Sequence, residues 1–221
     1  MSERDAVLLD LDGTLCEYAR SKNDLLAVAF GELGVDPPFS ASDYVERVDL
    51  YADRADSMAD RRRLCFAELA DENGYDPVLG REAADIYAAE RDHSNVRFLD
   101  GAAEALEYIS ERYPLGLVTN GGPDMQDQKI DGLGIRDYFE TVVYAGHDVA
   151  AKPDPEPFEH ALATLETSPD RSIYVGNNYE ADVVGAANAG LDSILIGELP
   201  GERAVDPLAT MSTPKDLPRI V

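Results

Sequence analysis

Cysteine is nearly absent: Cys16 and Cys65 are the two in 221 residues. Two cysteines make no disulfide framework, and both are expected as small core residues in a reducing compartment. Lysine is almost as scarce, with Lys22, Lys129, Lys152 and Lys215 the four among 19 basic residues. No apolar run approaches membrane length, and the opening Met-Ser-Glu-Arg-Asp forms no apolar signal region. No His/Cys cluster has zinc spacing, and no internal repeat is present. The expectation is a soluble, cytoplasmic protein.

Acid is what the chain has in excess. Asp and Glu number 44 against 19 basic residues, a net charge of −25. The acids are spread along the whole chain and apolar periodicity persists throughout, so this is not an acidic disordered tail. A solvated acidic surface fits a high-salt cytoplasm, where salt screens the self-repulsion. The same field disfavours nucleic acid and anionic membranes as partners. Any phosphate site in such a chain has to be locally positive.

With 44% apolar residues there is enough for a real core. Ala6 to Leu9 is a short unbroken apolar run, the pattern of a central parallel strand. It ends in Asp10-Leu11-Asp12-Gly13-Thr14. Helical periodicity follows for some eighty residues: about Asn23 to Leu33, a helix capped by Ser42, one over Ser57 to Asn73, and one near Arg81 to Arg91. No strand is expected in this stretch. From Val96 strands and helices alternate, with strands at Leu115–Thr119, Thr141–Ala145, Ser172–Val175 and Ser193–Ile196. Repeated alternation means a parallel sheet with helices on both faces. The chain thus divides into an α/β core of residues 1–15 and 96–221 and an inserted helical unit of residues 16–95. The tail after Gly197, rich in proline, is expected to be mostly irregular.

A parallel sheet brings four polar strand ends to one edge: Asp10 and Asp12, Thr119 and Asn120, Lys152, and Asn177 with Asp182. Carboxylates, hydroxyl and amide donors and one cation suit phosphoryl transfer through an aspartyl-phosphate. Carboxylates alone repel a phosphate dianion, and a hard cation such as Mg²⁺ resolves this by bridging them.

At this point the chain resembles the haloacid dehalogenase superfamily of hydrolases, in the subfamily with a helical C1 cap inserted after the first motif. Asp10-Leu11-Asp12-Gly13-Thr14 matches the first motif, Thr119-Asn120-Gly121 the second, Lys152 with Pro153-Asp154-Pro155 the third, and Gly176 to Asp182 the fourth. The resemblance covers roughly residues 5 to 197. It implies a Rossmann-like doubly wound sheet and a Mg²⁺-dependent phosphatase acting on a small phosphorylated metabolite. It makes Asp10 the nucleophile and Asp12 the acid and then base, with its backbone carbonyl on Mg²⁺. Thr119 and the Asn120 amide hold phosphate oxygens, Lys152 neutralises charge, and Asp182 anchors the metal site directly or by orienting Lys152 or a metal-bound water. Asp10, Asp12, Asn177 and Asp182 form the implied metal set. Asn177 departs from the pattern, because the family usually has Asp there; the change keeps an oxygen ligand and loses a charge, so weaker Mg²⁺ binding is expected. Asp12 argues for phosphate esters over carbon–halogen bonds, since dehalogenases of the superfamily lack that acid. Two other readings stand beside the phosphatase: a phosphotransferase or mutase with the same motifs, and a non-catalytic binding protein, motivated by Asn177.

Outside the motifs, Arg61-Arg62-Arg63 reads as a solvated helix face. Gln126 and Lys129 sit on one helix turn and read as structural. Glu17, Tyr18 and Arg20 follow the first motif and are expected to face substrate, and His147 lies near the third strand end.

Overall fold

The computed structural model describes residues 4–220. It forms two compact units: one runs to Tyr18 and resumes at His93, and the other is Ala19–Asp92.

In the first unit, β1 (Ala6–Leu9) leads to the short strand β2 (Cys16–Tyr18), after which the chain leaves for the helical unit. That unit holds α1 (Lys22–Glu32), α2 (Ala41–Arg47), α3 (Met58–Glu72) and α4 (Pro77–Ala89). On return come β3 (Val96–Phe98), α5 (Ala102–Ser110), β4 (Leu115–Asn120), α6 (Pro123–Leu133), β5 (Thr141–Ala145), α7 (Glu156–Thr164) and β6 (Ser172–Gly176). A π-helical turn, Tyr179–Val184, runs into α8 (Gly185–Asn188), followed by β7 (Asp192–Ile196) and β8 (Ala209–Met211).

Six strands make one parallel sheet in the order β5-β4-β1-β6-β7-β8. Alternate residues of a strand face opposite sides, and the core follows that rule. Val7, Leu9, Leu117, Ile173, Val175 and Ile194 pack on one face with Ala105, Leu106 and Ile109 of α5 and Ile130 of α6. Leu8, Val118 and Tyr174 pack on the other with Phe158, Ala161 and Leu162 of α7 and Ala186 of α8. The sheet is therefore doubly wound. β1 lies between β4 and β6, so the chain departs from it in both directions. This is the switch point at which open α/β sheets leave a crevice at the carboxyl ends of their strands.

Two strands lie where only helix is expected or just beside it. β2 pairs antiparallel with β3, with Glu17 opposite Arg97, so residues 16–18 are extended. The tail is less irregular than its prolines suggest: β8 adds a sixth parallel strand beside β7, and Pro214–Arg219 forms a 3₁₀ segment.

In the helical unit, Ser40 caps α2 rather than Ser42, through a reciprocal capping box with Asp43. Phe30, Phe39, Tyr44, Phe66 and Tyr87 form its aromatic core, with Phe39 and Phe66 edge-on at 5.0 Å between centroids. The arginine run is not one solvated face. Arg63 is exposed and pairs with Asp85 at 2.6 Å, whereas Arg62 is buried, donating from Nε to the Tyr44 hydroxyl at 3.3 Å. Burial pushes the Cys16 thiol up to about 12 and the Cys65 thiol up to about 11, so both are unreactive core residues.

Candidate active site

β1 ends at Leu9, and the Asp10 N–H still donates to Val175 of β6 at 2.9 Å. This holds Asp10 at the switch point, almost fully buried. The chain then turns at Gly13, whose φ of +74° is left-handed and favours glycine. A side chain at Gly13 would also collide with Asn177, whose Nδ2 lies 2.2 Å from where a Cβ would stand. Thr14, fully buried, donates to Asp10 Oδ2 at 3.3 Å.

Lys152 closes the site from the loop after β5. Its Nζ contacts Asp10 Oδ1 at 2.9 Å, Asp182 Oδ1 at 2.7 Å, the Tyr174 hydroxyl at 2.7 Å and the Val118 carbonyl at 3.1 Å. Burial works against this ammonium, but the charges of Asp10 and Asp182 outweigh it and hold its pKa above the usual lysine range. Burial pushes the Asp10 carboxyl up to about 6, with Lys152 opposing and Asp182 adding to the rise. The Tyr174 phenol, buried beside two carboxylates, is raised well above its ordinary value and stays neutral. Tyr174 is invisible as a site residue in the sequence, where it reads as an ordinary strand aromatic.

Asp182 is expected to anchor the metal site directly or by orienting Lys152 or a metal-bound water, and its carboxylate meets Lys152. Oδ1 accepts from Lys152 and from Tyr174, and Oδ2 accepts from the Asn178 N–H at 2.8 Å. This arrangement fixes the Lys152 ammonium against Asp182. The π-helical turn supplies the reach, because Asp182 is aimed back over Gly176 at the end of β6. A Cβ on Gly176 would stand 2.3 Å from Asp182 Cγ and 2.4 Å from Oδ2. Gly176→Ala is therefore expected to push Asp182 off Lys152, costing about 1–3 kcal/mol of stability by overpacking. Thermal unfolding together with turnover checks this: both fall if Gly176 makes room for the carboxylate, and neither moves if the loop gives way freely.

The second strand end is arranged differently from expectation in one respect. The Asn120 side chain binds the Lys152 backbone, accepting from its N–H at 2.9 Å and donating to its carbonyl at 3.2 Å. Its side-chain amide thus fixes the Lys152 loop. Thr119 Oγ1 accepts from Gln126 at 2.7 Å, which leaves the hydroxyl proton free for an incoming oxygen. Asp12 is held by α6: Lys129 Nζ reaches both of its oxygens, at 2.7 and 2.6 Å, and Gln126 donates to Oδ2 at 3.0 Å.

Asp10, Asp12, Thr119, Asn120, Lys152, Asn177 and Asp182 line one cavity of about 240 Å³ with Asn178 and Ala181. All seven residues singled out in the sequence are thus brought together. A larger cleft of about 350 Å³ beside Asp100, Tyr108 and Lys215 has no comparable convergence of functional groups. The hard oxygens of Asp10, Asp12 and Asn177 suit a cation such as Mg²⁺ that keeps water and takes substrate oxygens. Among the described residues, no three acidic, His or Cys side chains form a metal cage of their own.

Residues next to the motif are engaged elsewhere. Glu17 pairs with Arg97 at 2.7 Å and Arg20 with Glu90 at 3.0 Å. The Tyr18 hydroxyl meets His93 Nδ1 at 2.6 Å. His147 is exposed and pairs with Asp148 at 2.9 Å.

A family model described as haloacid dehalogenase-like hydrolase matches residues 4–190. The phosphoserine phosphatase of Thermus thermophilus is 33% identical over 149 residues, 67% of this chain and 59% of that one. The chain thus spans less than two thirds of that relative's length. The validoxylamine A 7′-phosphate phosphatase of Streptomyces hygroscopicus is 31% identical over 185 residues, 83% of this chain and 81% of that one. Among solved structures, the magnesium-bound HAD-hydrolase YfnB of Bacillus subtilis superposes with a TM-score of 0.76 at 18% identity, covering 99% of each chain.

Proposed function

The chain belongs to the haloacid dehalogenase-like hydrolases, and we propose that it hydrolyses a small phosphate monoester through an aspartyl-phosphate on Asp10. One observation carries this reading. Lys152 is a buried cation clamped to the Asp10 carboxylate at 2.9 Å, in the lining of a polar cavity in a chain of net charge −25. A strongly anionic protein that buries a lysine beside a carboxylate at the sheet's switch point has placed a fixed cation where a phosphate would meet that carboxylate.

In this proposal Asp10 attacks phosphorus, and the Thr119 hydroxyl and neighbouring backbone take phosphate oxygens. Lys152 offsets the charge that builds on the nucleophile and the phosphate. Asp12 gives its proton to the leaving oxygen and later takes one from the water that cleaves the aspartyl-phosphate. Asp10, the Asp12 carbonyl and Asn177 would hold Mg²⁺, which would supply further charge neutralisation. Asp12 favours phosphate esters over carbon–halogen bonds. The helical unit is the proposed cap that chooses the ester. The relatives named for phosphoserine and for validoxylamine A 7′-phosphate support a small phosphorylated metabolite as substrate. The acidic surface supports a high-salt cytoplasm as the working environment.

The test is phosphate release from p-nitrophenyl phosphate and a metabolite-phosphate panel, with Mg²⁺ titrated at low and high KCl. Turnover that depends on Mg²⁺ and rises with KCl is expected. Asn177→Asp is expected to lower the Mg²⁺ concentration for half-maximal rate by about tenfold, the effect of roughly 1.4 kcal/mol from one added charge. Asn177 also motivates the non-catalytic reading. Silence of both the parent and Asn177→Asp across the panel would establish that reading instead. Transfer of phosphate to an added alcohol without release of free phosphate would mark a phosphotransferase.

A further inference from the structure

We propose that Lys129, together with Gln126, is a positioning pair for the acid–base step, holding the Asp12 carboxylate in line with the Thr119 hydroxyl. The inference rests on the phosphatase reading above.

Three observations support it. First, Lys129 is buried, its side chain 6% exposed, while its partner Asp12 is 41% exposed. Burying a lysine is costly, and a surface tie between α6 and the sheet does not require it. Here α6 buries its cation in order to reach the most exposed of the three carboxylates that line the cavity. Second, Gln126 stands one helical turn earlier on the same face. Its amide nitrogen joins Asp12 Oδ2 at 3.0 Å, Thr119 Oγ1 at 2.7 Å and the Asn120 carbonyl at 3.2 Å. Its Oε1 is buried with no hydrogen-bond partner among the described residues. A buried amide that leaves its oxygen unsatisfied is kept for what its nitrogen does, and that nitrogen ties the acid–base residue to the phosphate-binding hydroxyl. Third, the Tyr18 ring lies over Lys129, 5.1 Å from Nζ, and the Tyr18 hydroxyl is bound to His93. The ammonium is therefore walled in and has little freedom to leave Asp12.

The chemistry gives the pair a definite task. As the P–O bond to the leaving group breaks, the leaving oxygen takes the Asp12 proton, and Asp12 becomes the carboxylate that Lys129 grips. That carboxylate then takes a proton from the water that cleaves the aspartyl-phosphate, which restores the acid. The grip of Lys129 stabilises the charge that Asp12 acquires in the first step and keeps it pointed at the reacting oxygen.

A leaving group that departs without a proton does not need this help. The experiment compares kcat/KM across substituted phenyl phosphates, from phenyl to 2,4-dinitrophenyl, for the parent, Lys129→Met, Lys129→Arg and Gln126→Met. Because kcat/KM ends with departure of the leaving group, the later hydrolysis does not enter. For Lys129→Met the loss is expected to be on the order of 30- to 100-fold for phenyl phosphate and under about threefold for 2,4-dinitrophenyl phosphate, since general-acid help scales with leaving-group demand. Gln126→Met should show the same tilt more weakly, and Lys129→Arg should recover most of the loss. Equal losses across the series in both Met variants would mean that the pair only supports the fold, and would overturn the inference while leaving the phosphatase reading intact. If Lys129→Met does not fold, the tilt in Gln126→Met decides. Silence of the parent on every ester would instead remove the phosphatase reading, and this inference with it.

Discussion

Asp10→Asn is expected to end phosphate release, with a loss on the order of 10⁴- to 10⁶-fold, the scale seen when a covalent nucleophile is removed. The fold should survive, and the metal-free variant should in fact be the more stable protein at neutral pH. The Asp10 carboxyl is pushed up to about 6 from 3.8, chiefly by burial. Its folded pKa lies above its unfolded one, so the folded state holds this proton more tightly. The stability it contributes is complete below about pH 4 and is lost as pH rises through 6. An asparagine in its place carries no such titration. Without divalent cation, the variant should therefore unfold above the parent at pH 7.5, by on the order of 1–3 kcal/mol, with the gap closing toward pH 4. Phosphate assays and thermal unfolding in chelator, at one fixed KCl concentration, check both halves. A variant that is inactive yet no more stable at pH 7.5 would mean that Lys152 already relieves the Asp10 charge in full. The nucleophile would then be a group whose local cost is offset at rest, rather than one that stores instability for chemistry.

Much of this arrangement is legible in the sequence because the relevant forces are local or periodic. Ala6–Leu9, Leu115–Asn120 and Ser172–Gly176 are apolar runs buried on both faces of a sheet, and such runs declare themselves. The polar residues that end them lie at one edge by topology alone. What is not legible depends on partners far away in the chain. β2 and β3 are three residues each and hold together through pairing across the whole helical excursion, with no alternation long enough to read. β8 exists because β7 offers it an edge. The α2 cap is legible in principle: Ser40 has Asp43 three residues on, whereas Ser42 has Val45. Gln126 and Lys129 share a helix face with Ile130, and a polar residue among core positions does not reveal which distant carboxylate it meets. Tyr174 is the same problem in a strand, since a β-forming aromatic and a lysine-holding phenol are written identically. Asn120 is legible as a site residue, but its side-chain amide serves the Lys152 backbone. A motif names residues; it does not say which atom of each is used.

Lys152→Met should damage stability and chemistry together. Methionine keeps the length and the apolar stem, so the variant removes a charge and three donors from a site it does not empty. Those donors are shared among Asp10, Asp182, Tyr174 and the Val118 carbonyl. Without them two nearly buried carboxylates, 8% and 2% exposed at the side chain, face each other with no cation between them. Breaking a buried pair from one side typically costs 3–5 kcal/mol, because the partner charge is left uncompensated, and about that loss is expected at pH 7.5. The carboxylates can escape the cost by taking up a proton, so the deficit should shrink toward pH 5. Asp182→Asn in the same chain should recover part of the stability by removing one of the two charges. It should recover none of the activity, which is expected to fall on the order of 10³-fold or more, because no positive charge then faces the phosphorylated Asp10. Divalent cation should not restore the rate, since it cannot donate the hydrogen bonds that Lys152 gives to Tyr174 and the Val118 carbonyl of the sheet or take its fixed place against Asp10. A single variant that melted within about 1 kcal/mol of the parent at pH 7.5, below the range for a broken buried pair, would show that water enters beneath Asp10. In that case the clamp on the nucleophile would be a hydrated contact and not the buried centre on which the site is built.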